Sequence, residues 1–236
     1  MKRTAIITGG TKGLGRETAL AFGRAGYDVL ALYSADETAA QELVKDMAVQ
    51  TIFGAVLHHD VRSEDASIWS RPEIQAADSL TLVNNACAAF SPMPMHQLGW
   101  PDFEKSFLVA VKGAWSCSHS LIRPMLKKGR GTIVNVLTSA IEDQPPKGFA
   151  AYLTAKHALQ GFTLALAAEY AVRGIKIFSV SPGYMETPLT RQWDARLREA
   201  IRTNAGRLTL PTEAAARIVD LVESGAVPGR GENYPV

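Results

Sequence analysis

Short apolar runs alternate with longer amphipathic stretches along most of the chain. Apolar runs rich in β-branched residues predict strands, and apolar residues that recur every three or four positions predict helices. The predicted strands are Ala5 to Thr8, Asp28 to Tyr33, Thr51 to His58, Leu80 to Asn84, Gly131 to Leu137, Ile175 to Val180 and Asn233 to Val236. The predicted helices are Gly13 to Ala25, a stretch through Glu42 and Met47, Phe103 to Lys128, Tyr152 to Val172, Arg191 to Thr203 and Thr212 to Glu223.

This alternation of strand and helix predicts an α/β Rossmann fold. Parallel strands need helical crossovers, and several of these strands are continuously apolar, as a sheet covered on both faces requires. We therefore expect a doubly wound parallel sheet of about seven strands with helices on both faces. Because no linker or repeat interrupts the pattern, residues 1–236 are read as a single domain, with longer loops at Phe90 to Pro101 and Glu142 to Phe149.

The composition is that of an ordinary globular protein and excludes several classes of partner. Hydrophobic residues make up 47% of the 236 residues, and the net charge is only +2. This balance gives no reason to expect nucleic acid or a membrane surface as partner. The apolar run after Met1 is too short for a signal peptide, and no stretch reaches the length of a membrane helix. Cys87 and Cys117 are expected to be reduced, which is typical of a cytoplasmic protein.

A glycine-rich turn joins the first strand to the first helix. Its sequence is Thr8-Gly9-Gly10-Thr11-Lys12-Gly13-Leu14-Gly15. Glycine permits a tight turn and a close approach of the backbone to a pyrophosphate, and the helix N-terminus offers unpaired N–H groups. A tight turn without a ligand is the alternative. The position at the first strand-helix junction favours a dinucleotide site.

The end of the second strand bears on which dinucleotide is bound. An NAD site usually has an acid there that accepts from the ribose 2′-hydroxyl, whereas this strand ends in Tyr33-Ser34. Lys12 could pair with a 2′-phosphate. Asp36 and Glu37, close behind, argue the other way. On balance the sequence favours NADP(H) over NAD(H).

A candidate acid/base pair lies on the long helix after the fifth strand. Tyr152 and Lys156 are four residues apart and therefore share one helix face. An ammonium beside a phenol is expected to lower the tyrosine pKa, so that the phenol can exchange a proton with a carbonyl or alcohol oxygen. Ser139 follows the fifth strand at the edge where open α/β sheets bind ligands. The pair alone occurs by chance in many helices, so the combination carries the hypothesis.

Taken together, these motifs resemble the short-chain dehydrogenase/reductase family. The motifs occur in the order and at the intervals of that family: Thr8 to Gly15, Asp60-Val61, Asn84-Asn85-Ala86, Ser139, Tyr152-x-x-x-Lys156 and Pro182-Gly183. The resemblance covers Thr4 to about Thr187. Within the family the sequence looks most like the reductases of 3-oxoacyl thioesters carried on acyl-carrier protein and of similar ketones.

The resemblance implies a role for each matching position. Tyr152 would be the acid/base, Ser139 would orient the carbonyl, and Lys156 would tune the tyrosine and hold the nicotinamide ribose. The implied cofactor-binding residues are Gly9, Thr11, Lys12, Gly13, Leu14, Gly15, Tyr33, Ser34, Asp60, Val61, Asn85, Ala86, Tyr152, Lys156, Pro182, Gly183 and Thr187. Asn84 would support the central strands.

Two residues depart from the family pattern. Ala110 stands where the family usually has an Asn that holds a proton-relay water. The relay would then use a backbone carbonyl and water or the Ser106 hydroxyl, or it would be impaired. Cys87 stands where Gly usually follows Asn-Asn-Ala, and we expect a small buried thiol that fits there.

The resemblance also implies a mobile substrate lid at residues 185–208, with Met185 and Trp193 lining the substrate pocket. Several arginines fall in or near this segment: Arg191, Arg196, Arg198, Arg202 and Arg207. They are read as a solvated helix face, or alternatively as a positive rim for an anionic substrate carrier. The His58-His59-Asp60 run is read as a strand end rather than a metal site. The two long apolar helices match the family's dimer interface, so we expect a homodimer or homotetramer.

These observations predict an NADP(H)-dependent oxidoreductase that reduces a small-molecule ketone, free or bound to a carrier, with a 3-oxoacyl thioester among the candidates. One alternative is a dinucleotide-binding sensor or partner subunit with weakened catalysis, which Ala110 motivates. The other is an NAD-dependent alcohol dehydrogenase. Substrate identity, reaction direction and stereochemistry stay open.

Overall fold

The protein forms one seven-stranded sheet in which every adjacent pair of strands is parallel. The computed structural model describes residues 1–142, 145–205, 208–225 and 227–236. The strands are β1 Arg3–Thr8, β2 Asp28–Tyr33, β3 Gly54–His58, β4 Ser79–Asn84, β5 Gly131–Val136, β6 Ile175–Ser181 and β7 Arg230–Pro235, in the spatial order 3-2-1-4-5-6-7. The helices are α1 Gly13–Arg24, α2 Glu37–Val49, α3 Pro72–Gln75, α4 Trp100–Phe107, α5 Gly113–Lys128, α6 Ala150–Tyr170, α7 Pro188–Arg191, α8 Ala195–Ala205 and α9 Pro211–Glu223. This is the expected Rossmann architecture.

Helices cover both faces of the sheet, as the continuously apolar strands required. Side chains alternate along each strand, so Ala5 and Ile7 of β1 pack into one core and Ile6 packs into the other. Helices α1, α2 and α9 complete the first core, and α5 with part of α6 completes the second. Both faces of the central strands are therefore buried.

The register of the strands brings the predicted site segments to one edge. Strand order reverses between β1 and β4, and Ile7 of β1 pairs with Val83 of β4. Val136 of β5 pairs with Val180 of β6. The segments that follow these four strands consequently lie side by side at the carboxyl edge of the sheet, which is the place where such sheets bind ligands.

Element boundaries differ from the sequence prediction where a turn or a distant contact decides them. The third strand begins at Gly54 rather than Thr51, because Thr51 adopts a positive φ of 55° in the turn after α2. The helix predicted from Phe103 already begins at Trp100, with Pro101 in its first turn, and contains a π-helical turn at Leu108–Lys112 before α5. The last strand begins at Arg230, three residues before the prediction.

Nowhere in the four described ranges is a helix both long enough and apolar enough to cross a bilayer. Cys87 and Cys117 are both free thiols.

Candidate active site

The glycine turn after β1 forms a tight cradle at the N-terminus of α1. Gly9 and Gly13 have left-handed φ values of +60° and +52°, which favour glycine. A Cβ on Gly15 would lie 2.1 Å from the Gly9 carbonyl oxygen, so the turn packs directly on the first turn of the helix. No side chain caps α1 at its N-cap residue, Lys12, and no acid lies in its first turn. Exposed N–H groups at an uncapped helix start fit the phosphates of a dinucleotide.

Thr8 and Asn85 connect this turn to the end of β4. The Thr8 hydroxyl accepts hydrogen bonds of 3.0 Å from the backbone N–H groups of Asn85 and Ala86. The Asn85 amide nitrogen donates to the carbonyl oxygens of Thr8 at 2.9 Å and Gly9 at 3.1 Å. Asn85 therefore holds the glycine turn in place from the side of the neighbouring strand.

Asn84 links the central strands to the helix that carries the reactive pair. Its side-chain nitrogen donates to Asn135 Oδ1 on β5 at 2.8 Å, and Asn135 Nδ2 donates to the Thr163 hydroxyl on α6 at 2.8 Å. All three side chains are buried. A buried network of this kind fixes α6 relative to the sheet, since Asn135 and Thr163 would each lose a partner if α6 shifted.

Tyr152 and Lys156 lie on the first turns of α6, beside the end of β5. Lys156 is 3% exposed, and its Nζ donates to the Val136 carbonyl oxygen at 2.6 Å. The same Nζ lies 5.6 Å from the centroid of the Tyr152 ring. The i, i+4 spacing therefore places the amine and the phenol together, as the sequence predicted.

The electrostatics of this pair differ from the sequence expectation. Burial raises the pKa of the Tyr152 phenol, the neighbouring Cys87 thiol raises it further, and a hydrogen bond with the Thr138 side chain opposes both. Burial also lowers the pKa of Lys156. The expectation of a lowered tyrosine pKa is wrong for the ligand-free protein, because burial, which disfavours the charged phenolate, is the largest influence and Lys156 is not among the groups that lower this pKa.

Ser139 begins a short 3₁₀ turn, Ser139–Ile141, directly after β5. Its backbone N–H donates to the Pro182 carbonyl oxygen at 2.9 Å, which ties the segment after β5 to the segment after β6. The adjacent Thr138 contacts the catalytic candidate Tyr152 and was not singled out from the sequence. The only sequence signal for Thr138 was its hydroxyl group, which comes directly before that of Ser139 in the sequence at the end of β5.

A cavity of about 1480 Å³ brings the predicted residues together. The predicted residues that line it are Gly9, Thr11, Lys12, Gly13, Leu14, Tyr33, Ser34, Asp60, Val61, Asn85, Ala86, Ser139, Tyr152, Lys156, Pro182, Gly183 and Thr187. Gly15 lies behind the glycine turn and shapes it from there. The glycine turn and the reactive pair therefore border the same space.

The end of the cavity beside β2 is lined by charged residues in pairs. Lys12 Nζ lies 2.9 Å from Asp36 Oδ2, and this hydrogen bond, with one from the Ala39 N–H, lowers the pKa of Asp36. Arg62 forms an ion pair of 2.6 Å with Asp60. The candidate phosphate partner Lys12 is thus shared with a carboxylate in the ligand-free protein.

The opposite end, around Tyr152, is apolar and aromatic. Met185 and Trp193 line it as expected, and so do Phe90 and Phe149, which no local sequence pattern identified. Both come from the loops that the sequence left without predicted structure.

One of the arginines near the lid, Arg202, lies close to two carboxylates. Arg202 lies 3.8 Å from a Glu186 oxygen and 3.9 Å from a Glu199 oxygen, which partly neutralises its charge. Arg207 lies outside the described residues.

Of the two departures from the family pattern, Cys87 lies close to the reactive pair. Cys87 lines the cavity, and burial raises the pKa of its thiol, opposed by Lys156. Ala110 lies in the π-helical turn at Leu108–Lys112 and is 5% exposed. The Ser106 hydroxyl donates to the Asp102 carbonyl oxygen of its own helix at 3.3 Å.

The His58-His59-Asp60 run is occupied by contacts within the protein. His58 Nε2 lies 3.0 Å from the Ser34 carbonyl oxygen, and His59 packs edge-on against Trp69. Across the residues that the structure describes, no group of three or more His, Cys, Asp or Glu side chains is arranged to hold a metal ion.

Comparison with known proteins gives a consistent family. The family model for short chain dehydrogenases matches residues 3–198. An acetoacetyl-CoA reductase of Shinella zoogloeoides is 32% identical over 97% of this chain and 95% of its own. A 3-oxoacyl-(acyl-carrier-protein) reductase of Pseudomonas aeruginosa is 30% identical over 99% of this chain and 95% of its own.

Among solved structures, a similar one is a putative NAD(P)-dependent gluconate 5-dehydrogenase from Beutenbergia cavernae with bound NADP at low occupancy. It superposes with a TM-score of 0.87 at 29% identity, covering 99% of this chain and 94% of its own. The family model, these relatives and the seven-stranded parallel sheet agree, and the chain belongs to the short-chain dehydrogenase family of oxidoreductases.

Proposed function

We propose that this chain is an NADP(H)-dependent reductase that converts a ketone or other carbonyl into an alcohol, with Tyr152 as general acid. The observation that carries the proposal is the single cavity bordered by Tyr152, Lys156, Ser139 and the glycine turn. A nicotinamide cofactor bound there would supply the hydride. The protein's own residues would bind, orient and protonate the carbonyl.

The proton is the part that Tyr152 supplies. A carbonyl oxygen gains negative charge when its carbon is reduced, so it needs a positioned donor. The Tyr152 phenol is protonated at neutral pH, so it carries the proton that this role requires, and the raised pKa keeps it in that form. The Ser139 hydroxyl is proposed as a second donor to the same oxygen, since Ser139 lines the same cavity beside Pro182.

Lys156 is proposed to hold the cofactor ribose and to return the proton to Tyr152. Proton resupply must bypass Ala110. A π-helical turn leaves a backbone carbonyl without its usual i→i+4 partner, so such a carbonyl at Leu108–Lys112 could hold the relay water. Ser106 is less well placed, because its hydroxyl donates within its own helix. A backbone-held water is therefore the route we propose.

NADP(H) is the proposed cofactor for reasons of charge. β2 ends at Tyr33 with no acid at its last residues, and the cations Lys12 and Arg62 line that end of the cavity. A 2′-phosphate would compete with Asp36 for Lys12. The neighbour from Beutenbergia cavernae holds NADP, which supports a site of this type.

We also propose a domain organisation, an oligomeric state and a cellular location for the whole protein. Residues 1–236 would be a single dinucleotide-binding domain, with α7 and α8 as the substrate lid at residues 185–208. Exposed apolar side chains on α5 and α6, Trp115 and Leu164, support a homodimer or homotetramer. The free thiols Cys87 and Cys117 support a reducing location such as the cytoplasm.

The direct test is NADPH oxidation with a panel of ketones, β-ketoesters, acyl thioesters and quinones. We expect turnover by the native protein and a loss of at least ~100-fold in kcat for Tyr152→Phe, because the proton donor is removed while the ring remains. Tyr170→Phe is the matched control at the far end of α6, outside the cavity, and should retain activity.

Two results would favour other functions. Tight NADPH binding without turnover of any compound in the panel would favour a dinucleotide-binding sensor or partner subunit, for which Ala110 is the supporting observation. Tighter binding of NADH than of NADPH, with oxidation of alcohols, would favour an NAD-dependent alcohol dehydrogenase. The Asp36 carboxylate beside Lys12 is the observation in its favour.

A further inference from the structure

Four aromatic side chains pack in one cluster with Tyr152 and form what we call the aromatic wall. Its members are Phe90, Phe149, Tyr184 and Trp193. The Phe90 ring stacks on the Tyr152 ring with centroids 4.7 Å apart and planes 14° from parallel. Phe149 and Trp193 each lie 5.2 Å from Phe90, and Tyr184 stacks on Trp193 at 6.4 Å. All four line the cavity.

The wall is held in place by a contact between distant parts of the chain. Trp193 Nε1 donates to the Phe90 carbonyl oxygen at 3.0 Å, which joins the lid to the loop after β4. Trp193 is 7% exposed and Phe149 is 5% exposed. The indole N–H is thus already satisfied, and Phe90, Phe149 and Trp193 present aromatic carbon to the cavity.

Charge is distributed unevenly along the cavity. The lining carboxylates of the described residues, Asp36 and Asp60, lie at the β2–β3 end. Lys105 and Lys147 also line the cavity, but both are exposed at its rim. Lys156 is the buried cation beside Tyr152, and its Nζ donates to the Val136 carbonyl oxygen. A charged group placed against the buried aromatic wall would lose its hydration without gaining a partner. The part of a substrate that lies against the aromatic wall, away from the Lys156 amine, is therefore expected to be uncharged.

We propose that the aromatic wall selects substrates whose carbonyl is attached to a flat, uncharged ring, and that Phe90 and Trp193 determine this specificity. The inference rests on the proposed function and narrows its substrate class. It favours aryl ketones over the linear acyl thioesters named for two of the relatives. A planar ring can stack on the wall, whereas a puckered or linear chain cannot.

The expected size of the effect follows from aromatic contacts. Each well-placed aromatic pair is worth about 0.5–1.5 kcal/mol beyond the area that it buries, which corresponds to about 2- to 12-fold in binding. Two contacts, with Phe90 and Trp193, should therefore distinguish a flat ring from a puckered ring of the same size by roughly 5-fold or more.

The test compares acetophenone with cyclohexyl methyl ketone, which differ in ring planarity and not in carbon count. Dissociation constants are measured by calorimetry with NADPH present, and kcat/KM is measured by NADPH oxidation. We expect the native protein to bind acetophenone at least ~5-fold more tightly. Phe90→Leu and Trp193→Leu should each reduce this ratio. Trp100→Leu is the matched control, because Trp100 is exposed and lies outside the cavity.

The two readouts separate this inference from the proposed function. Ring-selective binding without turnover would contradict the reductase function and support the wall. Turnover with equal affinities for the two ketones would contradict the wall and support the reductase. If a folded Phe90→Leu protein keeps the native ratio of affinities for the two ketones, the proposed role of the aromatic wall is also overturned. If Trp193→Leu fails to fold by circular dichroism, the Phe90→Leu ratio decides.

Discussion

Burial raises the pKa of the Tyr152 phenol, and this shift can be measured in the absence of substrate. The pKa of the phenol is raised, so at a pH near 10, where an exposed tyrosine is half ionised, Tyr152 stays protonated. We expect the phenolate absorbance of the cofactor-free protein to titrate identically in the native protein and in Tyr152→Phe up to about pH 10. A phenolate signal at lower pH that is lost only in Tyr152→Phe would show that Lys156 dominates instead.

The pairing of Lys12 with Asp36 predicts how cofactor preference responds to single substitutions. Asp36 holds the ammonium at 2.9 Å and adds negative charge where a 2′-phosphate would bind. Asp36→Asn should therefore lower KM for NADPH by about 2- to 10-fold and change KM for NADH less, since only NADPH carries the extra phosphate.

Lys12→Ala should shift KM for NADPH in the opposite direction. The side chains of this pair are 49% and 39% exposed, so solvent screens the interaction and a modest effect is expected. If both variants change KM for NADPH and KM for NADH equally, the 2′-phosphate of NADPH binds away from Lys12.

At the scale of the element, the junction between β1 and α1 has no room for a side chain at Gly15. A Cβ at Gly15 would lie 2.1 Å from the Gly9 carbonyl oxygen and 2.4 Å from Asn85 Nδ2. Gly15→Ala should therefore destabilise the protein by about 1–3 kcal/mol, despite the better helix propensity of alanine. It should also weaken NADPH binding, because the glycine turn must shift.

Gly23→Ala in the same helix provides the matched control. There a Cβ would meet the Ile52 side chain at 2.4 Å, and a side chain can move where a backbone carbonyl cannot. Urea unfolding measures the stability of both variants, and fluorescence titration measures NADPH binding. Unchanged NADPH affinity in Gly15→Ala would contradict the phosphate cradle.

The regular elements were predictable because their information is local. The apolar periods of β1, β2, β4, β5 and β6 were recognised within a few residues of their observed bounds. Strand β7 was predicted short, since Arg230 and Glu232 are polar and join the sheet only through pairing with β6. The π-helical turn at Leu108–Lys112 has the apolar spacing of an ordinary helix, so its geometry left no sequence signal.

At the scale of the molecule, the glycine turn and the reactive residues were more predictable than the aromatic wall at the substrate end of the cavity. Fixed sequence spacings identify the glycine turn, Ser139 and the Tyr152–Lys156 pair. The parallel sheet then brings these segments to the same edge. The aromatic wall depends on a hydrogen bond between residues 103 positions apart, Trp193 and Phe90, that no local pattern encodes. The direction of the Tyr152 pKa shift was missed for a related reason, since burial is a property of the assembled fold.

Exposed apolar side chains on the outer helices of one face of the sheet indicate that the whole protein self-associates. On α5, Trp115 is 49% exposed, and on α6, Leu164 is 53% exposed, while both helices cover the same face of the sheet. Exposed apolar side chains on adjacent long helices are typical of an interface. We expect light scattering to give a mass of two or four times the 25.5 kDa of one chain.

Leu164→Glu should reduce the mass to that of a monomer, because a carboxylate buried in an apolar interface has no partner. Val49→Glu is the matched control, since Val49 is 85% exposed at the end of α2, on the other face of the sheet. It should leave the mass unchanged. If α6 carries the interface, Leu164→Glu should also lower activity indirectly, because Tyr152 and Lys156 are positioned by the same helix. A native protein that is monomeric at micromolar concentration, or an oligomer that survives Leu164→Glu intact, would instead mean that this face of α6 stays in solvent. The core packing of α6 and the Asn84–Asn135–Thr163 network would then hold the helix in place without a partner subunit.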